Sequence, residues 1–222
     1  MSIRCAAILF DLDGVLVDSA ACVEKSWRDW SFKHGLDPER VLALAHGRRT
    51  TETIPAVAPQ LNVADEAAAL AAIESVSTEG VLEVPGAREL LEPLPPNAWA
   101  IVTSGVRSVA TLRIRHTRLP MPRVLVCADE IERGKPDPQG YLVAAERLGV
   151  QPAMCVVIED TLPGLAASRA AGMRSIGIAG TYPPEALSLA DHVVTRIAAL
   201  RIRSAGCWPP LTIEIARDAH AS

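Results

Sequence analysis

Aromatic side chains are scarce in this sequence: four Trp, two Tyr and two Phe make up 4% of its 222 residues. Leu, Val, Ile and Ala must therefore supply most of the core, and at this length they can fill one. Positive charge is not in excess either. The formal net charge of −4 removes any global electrostatic case for nucleic acid or an anionic membrane as partner. No apolar run approaches the roughly 18 residues of a membrane span. Met1-Ser2-Ile3-Arg4 leads straight into a short apolar run, without the basic start, longer apolar core and small-residue cleavage site of a secretory signal. Cys5, Cys22, Cys127, Cys155 and Cys207 are odd in number and lack tight paired spacing. They read as reduced, mostly buried thiols of a cytoplasmic protein rather than zinc ligands.

What is present is a 49% hydrophobic, 22% charged chain of ordinary globular composition. Five short apolar runs, Cys5 to Phe10, Ala98 to Val102, Val124 to Cys127, Met154 to Ile158 and Ser175 to Ile178, suit strands covered on both faces. Helices are expected at Val106 to Arg115, Gly140 to Leu148 and Leu162 to Ala171, the last stopped by Gly172. This alternation predicts an α/β fold with a doubly wound, Rossmann-like parallel sheet. Between Val17 and Val84 no core strand is evident. Helices are expected there at Ala20 to His34, Glu39 to Leu44, Thr51 to Ala58 and Ala64 to Ser77. The expected organisation is a catalytic core of residues 1–16 and 85–200, an inserted helical cap of residues 17–84, and a C-terminal extension of residues 201–222. Hinges fall near Leu16 to Ser19 and Leu82 to Pro85. The extension matches no repeat of the core pattern and reads equally as a docked segment or a tail.

The polar clusters all follow strands, where ligands of open α/β sheets collect. Asp11-Leu12-Asp13-Gly14 ends the first strand and, alone, is equally a solvated turn. Three further strand ends add a hydroxyl at Thr103, an ammonium at Lys135 and two carboxylates at Glu159-Asp160. Carboxylate clusters around one lysine would repel a dianionic phosphate without an intervening cation, which points to Mg²⁺.

Four segments carry a resemblance. Phe10 to Ser19 (FDLDGVLVDS) is similar to the first motif of the haloacid dehalogenase superfamily of phosphatases. Val102-Thr103-Ser104-Gly105 resembles its second motif, Gly134-Lys135-Pro136-Asp137-Pro138 its third, and Val157 to Gly164 (VIEDTLPG) its fourth. The resemblance implies that Asp11 attacks phosphorus and becomes an aspartyl-phosphate, while Asp13 protonates the leaving oxygen and later activates water. It implies that Thr103, Ser104 and the following amides hold phosphate oxygens and that Lys135 neutralises charge on Asp11 and the phosphoryl group. Asp11, the backbone carbonyl of Asp13, and Asp160 would hold Mg²⁺, with Glu159 direct or through water. Asp13 argues against a metal-free dehalogenase. Lys25 and Lys33, the lysines of the cap, do not match the Schiff-base lysine of carbon–phosphorus bond cleavage and read as exposed helix residues.

In the cap, His46-Gly47-Arg48-Arg49-Thr50-Thr51-Glu52-Thr53-Ile54 resembles the loop of glycerol-phosphate and small sugar-phosphate phosphatases. That likeness implies substrate contacts from Arg48, with Arg49 second, and from His46 and Glu52. A structural alternative stands for Arg49 and Glu52, because Thr50 can cap a helix whose first turn holds Glu52. Gly47 would permit a close approach of backbone to ligand. Trp27, Trp30 and Phe32 are expected in cap packing, with Trp27 or Trp30 open to the cleft. The expected partner is a small-molecule phosphate ester, and no feature identifies a protein partner. A phosphosugar mutase of the same superfamily and a nonenzymatic phosphate-binding protein are the alternatives.

Overall fold

Ala6 divides the first apolar run into two strands of two different sheets. In a computed structural model, which describes residues 1–204 and 210–216, β1 (Ser2–Cys5) precedes β2 (Ala7–Phe10). β1 alternates exposed and buried side chains, with Ile3 and Cys5 inward, whereas all four residues of β2 are buried. That is the difference between a strand with one wet face and a strand covered on both.

After β2 the chain forms β3 (Val17–Asp18) and then four helices: α1 (Ala20–Lys33), α2 (Pro38–Ala45), α3 (Thr50–Val57) and α4 (Val63–Glu74). Asp37 caps α2 by accepting from the Glu39 amide at 3.0 Å, with Pro38 at the first helical position, and Asn62 caps α4 through the Ala64 amide at 3.1 Å. The helices bury their own apolar cluster, which includes Trp27, Trp30, Leu42, Ile54 and Leu70. Trp27 and Trp30 meet edge to face at 5.5 Å. Phe32 does not join them: it is 68% exposed, because it falls on the outer side of α1. β4 (Leu82–Glu83) returns antiparallel to β3, so a two-residue ribbon joins the helical insertion to the rest.

The chain continues through α5 (Ala87–Leu91), β5 (Trp99–Val102), α6 (Arg107–His116), β6 (Val124–Val126), α7 (Gln139–Leu148), β7 (Cys155–Glu159), α8 (Leu162–Ala170), β8 (Arg174–Ile178) and β9 (His192–Val194). Six strands form a sheet in the order β6-β5-β2-β7-β8-β9, every pair parallel. Strand order reverses about β2, which places a crevice at its carboxyl end. The expected strands and helices occur within two residues of their places, except that α4 stops at Glu74, three residues short of Ser77; α5 and β9 are additions. Thr161 caps α8 by accepting from the Gly164 amide at 3.2 Å, and Gly172, in the left-handed region, follows its end.

The C-terminal segment is docked where it is described. β10 (Leu200–Ser204) and β11 (Leu211–Ile215) form an antiparallel sheet with β1 in the order β1-β11-β10. Leu211 and Ile213 pack into the same core cluster as Ile3, Phe10 and Trp99. Cys5, Cys22, Cys127 and Cys155 are buried and free; burial pushes the thiols of Cys5 and Cys127 up to about 12. Cys207, and the part of the extension around it, lies outside the described residues. Among the described residues no helix is long and apolar enough to cross a membrane.

Candidate active site

Four loops, each leaving the carboxyl end of a sheet strand, converge on one buried cluster. Asp11 follows β2, and its amide donates to the Ile158 carbonyl of β7 at 2.9 Å. Leu12, Val15 and Leu16 are fully buried and anchor the turn from below. Gly14 adopts φ +84, and a Cβ there would lie 2.0 Å from Asp160 Oδ2. Only glycine therefore lets the first and fourth motifs close on each other.

Lys135 is the hub. Its Nζ donates to Asp11 Oδ1 at 2.5 Å, to Glu159 Oε1 at 2.6 Å and to the Val102 carbonyl at 3.3 Å. The Tyr141 hydroxyl donates to the same Glu159 oxygen at 3.2 Å. Glu159 Oε2 accepts from the amides of Asp160 and Thr161 at 2.8 and 2.6 Å and from the Thr161 hydroxyl at 2.9 Å. Both oxygens of Glu159 are thus occupied, and the residue is fully buried. In this geometry Glu159 bonds Lys135 on one side and the start of α8 on the other. Asp160 differs: Thr181 Oγ1 donates to Oδ2, while Oδ1 is buried with no hydrogen-bond partner.

Carboxylate oxygens of Asp11, Glu159 and Asp160 lie within 4.8 Å of one another, against the single ammonium of Lys135. Burial pushes the Asp11 carboxyl up to about 7; Lys135 opposes this, and Glu159 and Asp13 add to it. Asp160 is held well above its ordinary range by burial first, then by Glu159 and Asp11. Burial works against the Lys135 ammonium, yet Asp11 and Glu159 keep it charged, well above its usual range. Excess negative charge and an orphaned carboxylate oxygen fit a hard divalent cation with oxygen ligands.

Asp13 sits at the mouth of this cluster. Its Oδ1 accepts from Ser19 Oγ at 2.6 Å and from Arg113 Nη1 at 2.7 Å. Arg113, 3% exposed on α6, also reaches Glu74 Oε2 of α4 at 3.3 Å. One guanidinium thus joins the first motif to the helical insertion. The spacing Val109, Ala110, Arg113, Ile114 on the buried face of α6 would have exposed it, since an arginine at a core position of a helix requires acidic partners. Sequence reasoning also missed Glu74, Ser19, Tyr141, Thr161 and Thr181. Of these, Thr181 follows the end of β8 as the recognised motifs follow theirs.

Breaking a buried ion pair from one side costs about 3–5 kcal/mol. Arg113→Met is therefore expected to lower the denaturant midpoint markedly, and Glu74→Gln in that background should recover part of the loss. Equilibrium unfolding of the single and double variants checks this.

A cleft of about 620 Å³ opens over the cluster, between the core and the insertion. Asp11, Asp13, Thr103, Ser104, Asp160, His46 and Arg48 line it, as does Trp27, whereas Trp30 turns its indole N–H to Glu66 at 2.8 Å. Thr103 is buried and its Oγ1 accepts from the Gly105 amide at 3.0 Å. Ser104 Oγ donates across the cleft to the Gly47 carbonyl at 2.9 Å. The close approach at Gly47 is to Thr161 of the core, where a Cβ would come within 2.6 Å. Arg49 and Glu52 do not line the cleft: Arg49 precedes α3 as its N-cap residue, and the two side chains pair at 2.5 Å. A second cavity of about 530 Å³, between α1 and α4, contains none of the motif residues.

The family profile described as haloacid dehalogenase-like hydrolase matches residues 8–178. Hexitol phosphatase A of Escherichia coli is 41% identical over 196 residues, covering 86% of this chain and 91% of that protein. Glycerol-1-phosphate phosphohydrolase 2 of Saccharomyces cerevisiae is 35% identical over 194 residues, covering 82% of this chain and 78% of that protein. Among solved structures, CbbY from Rhodobacter sphaeroides in complex with phosphate superimposes with a TM-score of 0.76 at 26% identity, over 87% of this chain and 95% of that one. The four motifs, the parallel sheet that carries them and the profile match over most of the chain place this protein in the haloacid dehalogenase-like hydrolase family.

Proposed function

We propose that this chain is a Mg²⁺-dependent phosphomonoesterase of small polyol or sugar phosphates. The observation that carries the reading is the meeting of Asp11, Asp13 and Asp160, with its orphaned oxygen, at one cleft, where buried Lys135 holds Asp11 from behind. The names of the relatives support the same substrate class: hexitol phosphatase A and glycerol-1-phosphate phosphohydrolase 2.

Lys135 occupies Asp11 Oδ1, which leaves Oδ2 to attack phosphorus. As the P–Oδ2 bond forms, the P–O ester bond breaks, and Asp13 gives its proton to the departing alkoxide, which leaves as the alcohol. Asp13, now a carboxylate, takes a proton from water. The resulting hydroxide attacks the aspartyl-phosphate, releasing inorganic phosphate and regenerating Asp11. Thr103 and the amides beyond it donate to the phosphoryl oxygens, and Lys135 offsets their charge. Asp11, the Asp13 backbone carbonyl and Asp160 would hold Mg²⁺, with Glu159 supporting Lys135 and Asp160. When bound, the cation would neutralise the surplus carboxylate charge so that a phosphate dianion can enter. The cap of residues 17–84, hinged at the β3–β4 ribbon, would exclude bulk water and admit only short esters.

His46 and Arg48 are exposed and line the cleft, which suits them to meet substrate hydroxyls. Arg48→Ala is expected to lower kcat/KM for the preferred ester by roughly tenfold or more, the loss of one charged hydrogen bond or two. An aryl phosphate, whose leaving group makes few cap contacts, should lose much less, and the melting temperature should hold. Equal losses on both substrates would remove Arg48 from the specificity loop.

A panel of small phosphate esters with Mg²⁺, read as released inorganic phosphate, tests the function itself. Stoichiometric phosphate and free alcohol support the phosphatase. Isomerised sugar phosphate without stoichiometric phosphate would assign the same residues to a mutase, and binding without turnover would leave neither.

A further inference from the structure

We infer that Arg49 and Glu52 form a clasp that locks the cap onto the loop carrying Lys135, so that Arg49 is a positioning residue and not a substrate ligand. The inference rests on the phosphatase reading for its catalytic consequence, and on geometry for the clasp itself. Arg49 Nη1 donates to the Ile131 carbonyl at 2.9 Å, and Nη2 to the Glu132 carbonyl at 2.7 Å. Nε and Nη2 donate to Glu52 Oε1 at 2.9 and 2.5 Å, and that oxygen also accepts from the Gly134 amide at 3.0 Å. The pair thus bonds three residues, Ile131, Glu132 and Gly134, of the loop that ends at the residue before Lys135.

Three physical features make this a built contact. The Arg49 side chain is 12% exposed, so its charge is removed from most of its water and needs partners. Glu52 supplies the counter-charge within the cap, and the two carbonyls use donors that the ion pair leaves over. Gly134 leaves no spare room: a Cβ there would lie 2.6–2.9 Å from Arg49 Nε, Cγ and Cδ. A side chain there would push the arginine off the loop.

Place in the fold gives the contact its consequence. The cap is tied covalently at the β3–β4 ribbon, and the clasp closes it on the Lys135-bearing loop. Opening must break the Arg49 and Glu52 bonds to residues 131–134, together with the Ser104 to Gly47 bond. The same bonds fix the backbone that aims Lys135 at Asp11 Oδ1. Closing the cap and setting Lys135 are therefore one event, and every substrate depends on it. Arg48, one residue away, faces the cleft and acts on the part of the substrate that leaves.

The test compares the full chain with Arg49→Ala, Arg49→Lys, Glu52→Ala and the Arg49→Ala/Glu52→Ala double variant, all with Mg²⁺. Amide hydrogen exchange of the segments 131–135 and 45–53 should accelerate in Arg49→Ala and Glu52→Ala, while the strands of the six-stranded sheet keep the exchange of the parent. Turnover of a sugar phosphate and of an aryl phosphate should fall by the same factor, on the order of tenfold. Arg49→Lys should recover little, since an ammonium cannot reach both carbonyls and Glu52. The double variant should be no worse than Arg49→Ala. Loss confined to the sugar phosphate, with unaltered exchange, would make Arg49 a substrate ligand and overturn the clasp. Exchange remains a full test of the clasp even if no ester is hydrolysed, a result that would instead count against the phosphatase reading.

Discussion

Asp11→Asn is expected to abolish turnover, by on the order of 10⁴-fold or more, because an uncharged amide cannot form the acyl-phosphate bond. The protein should nevertheless fold at least as well as the parent. Asp11, Glu159 and Asp160 share one ammonium, and removing one carboxylate relieves repulsion among the other two. The pH dependence separates this from a simple loss of structure. Without metal the folded-state Asp11 carboxyl lies near 7, raised by burial from an ordinary 3.8. Between those values the native protein keeps a proton that the unfolded chain has given up. Stability from this group is therefore complete below its unfolded value and is lost as pH rises through about 7. Metal-free parent protein should lose stability over that window, and Asp11→Asn should lose less. Denaturant unfolding at several pH values measures both slopes. A variant that unfolds at every pH would mean that Asp11 is structural.

Removal of divalent metal is expected to have the second large effect. A chelator should eliminate turnover and Mg²⁺ should restore it. Ca²⁺ should bind yet support little turnover, since its larger and looser coordination misplaces the nucleophile. Protons raised onto Asp11 and Asp160 in the metal-free site must leave when the cation arrives. Mg²⁺ affinity should then increase as pH rises toward about 7, by up to roughly tenfold per pH unit for each proton displaced. Calorimetric titration in two buffers of different ionisation enthalpy counts the protons released. Full activity in chelator, or an affinity independent of pH, would contradict the metal assignment.

Much of this site is legible in the sequence. The four motifs end four apolar strands, and a parallel sheet has no choice but to bring the carboxyl ends of neighbouring strands to one edge. Lys135 and Glu159 lie 24 residues apart in sequence, yet the strand order brings their loops together. Residues whose roles depend on tertiary contact were less legible. The break at Ala6 was hidden because Ser2-Ile3-Arg4-Cys5 alternates while Ala7 to Phe10 does not, and the change of period falls inside one apolar run. Leu211-Thr212-Ile213-Glu214-Ile215 shows the same alternation, but nothing local says that its partners are β1 and β10. Arg113 gives no local signal of its role, because its partners, Asp13 and Glu74, are 100 and 39 residues distant. Phe32 was expected inside on hydrophobicity alone, and the phase of α1 turns it out. In the loop from His46 to Glu52, sequence offered four polar residues for one substrate. The fold divides them, with His46 and Arg48 on the cleft and Arg49 and Glu52 on the core loop.

A covalent phosphate at Asp11 is the central expectation, and it can be trapped directly. Enzyme mixed with a labelled sugar phosphate and Mg²⁺, then quenched in acid within a turnover, should carry acid-stable, base-labile label. Peptide mapping should place that label on Asp11, and in Asp13→Asn both its appearance and its loss should slow, because the departing alkoxide loses its acid and the clearing water its base. Label on Thr103, Ser104 or a histidine, or no label during active turnover, would contradict the account.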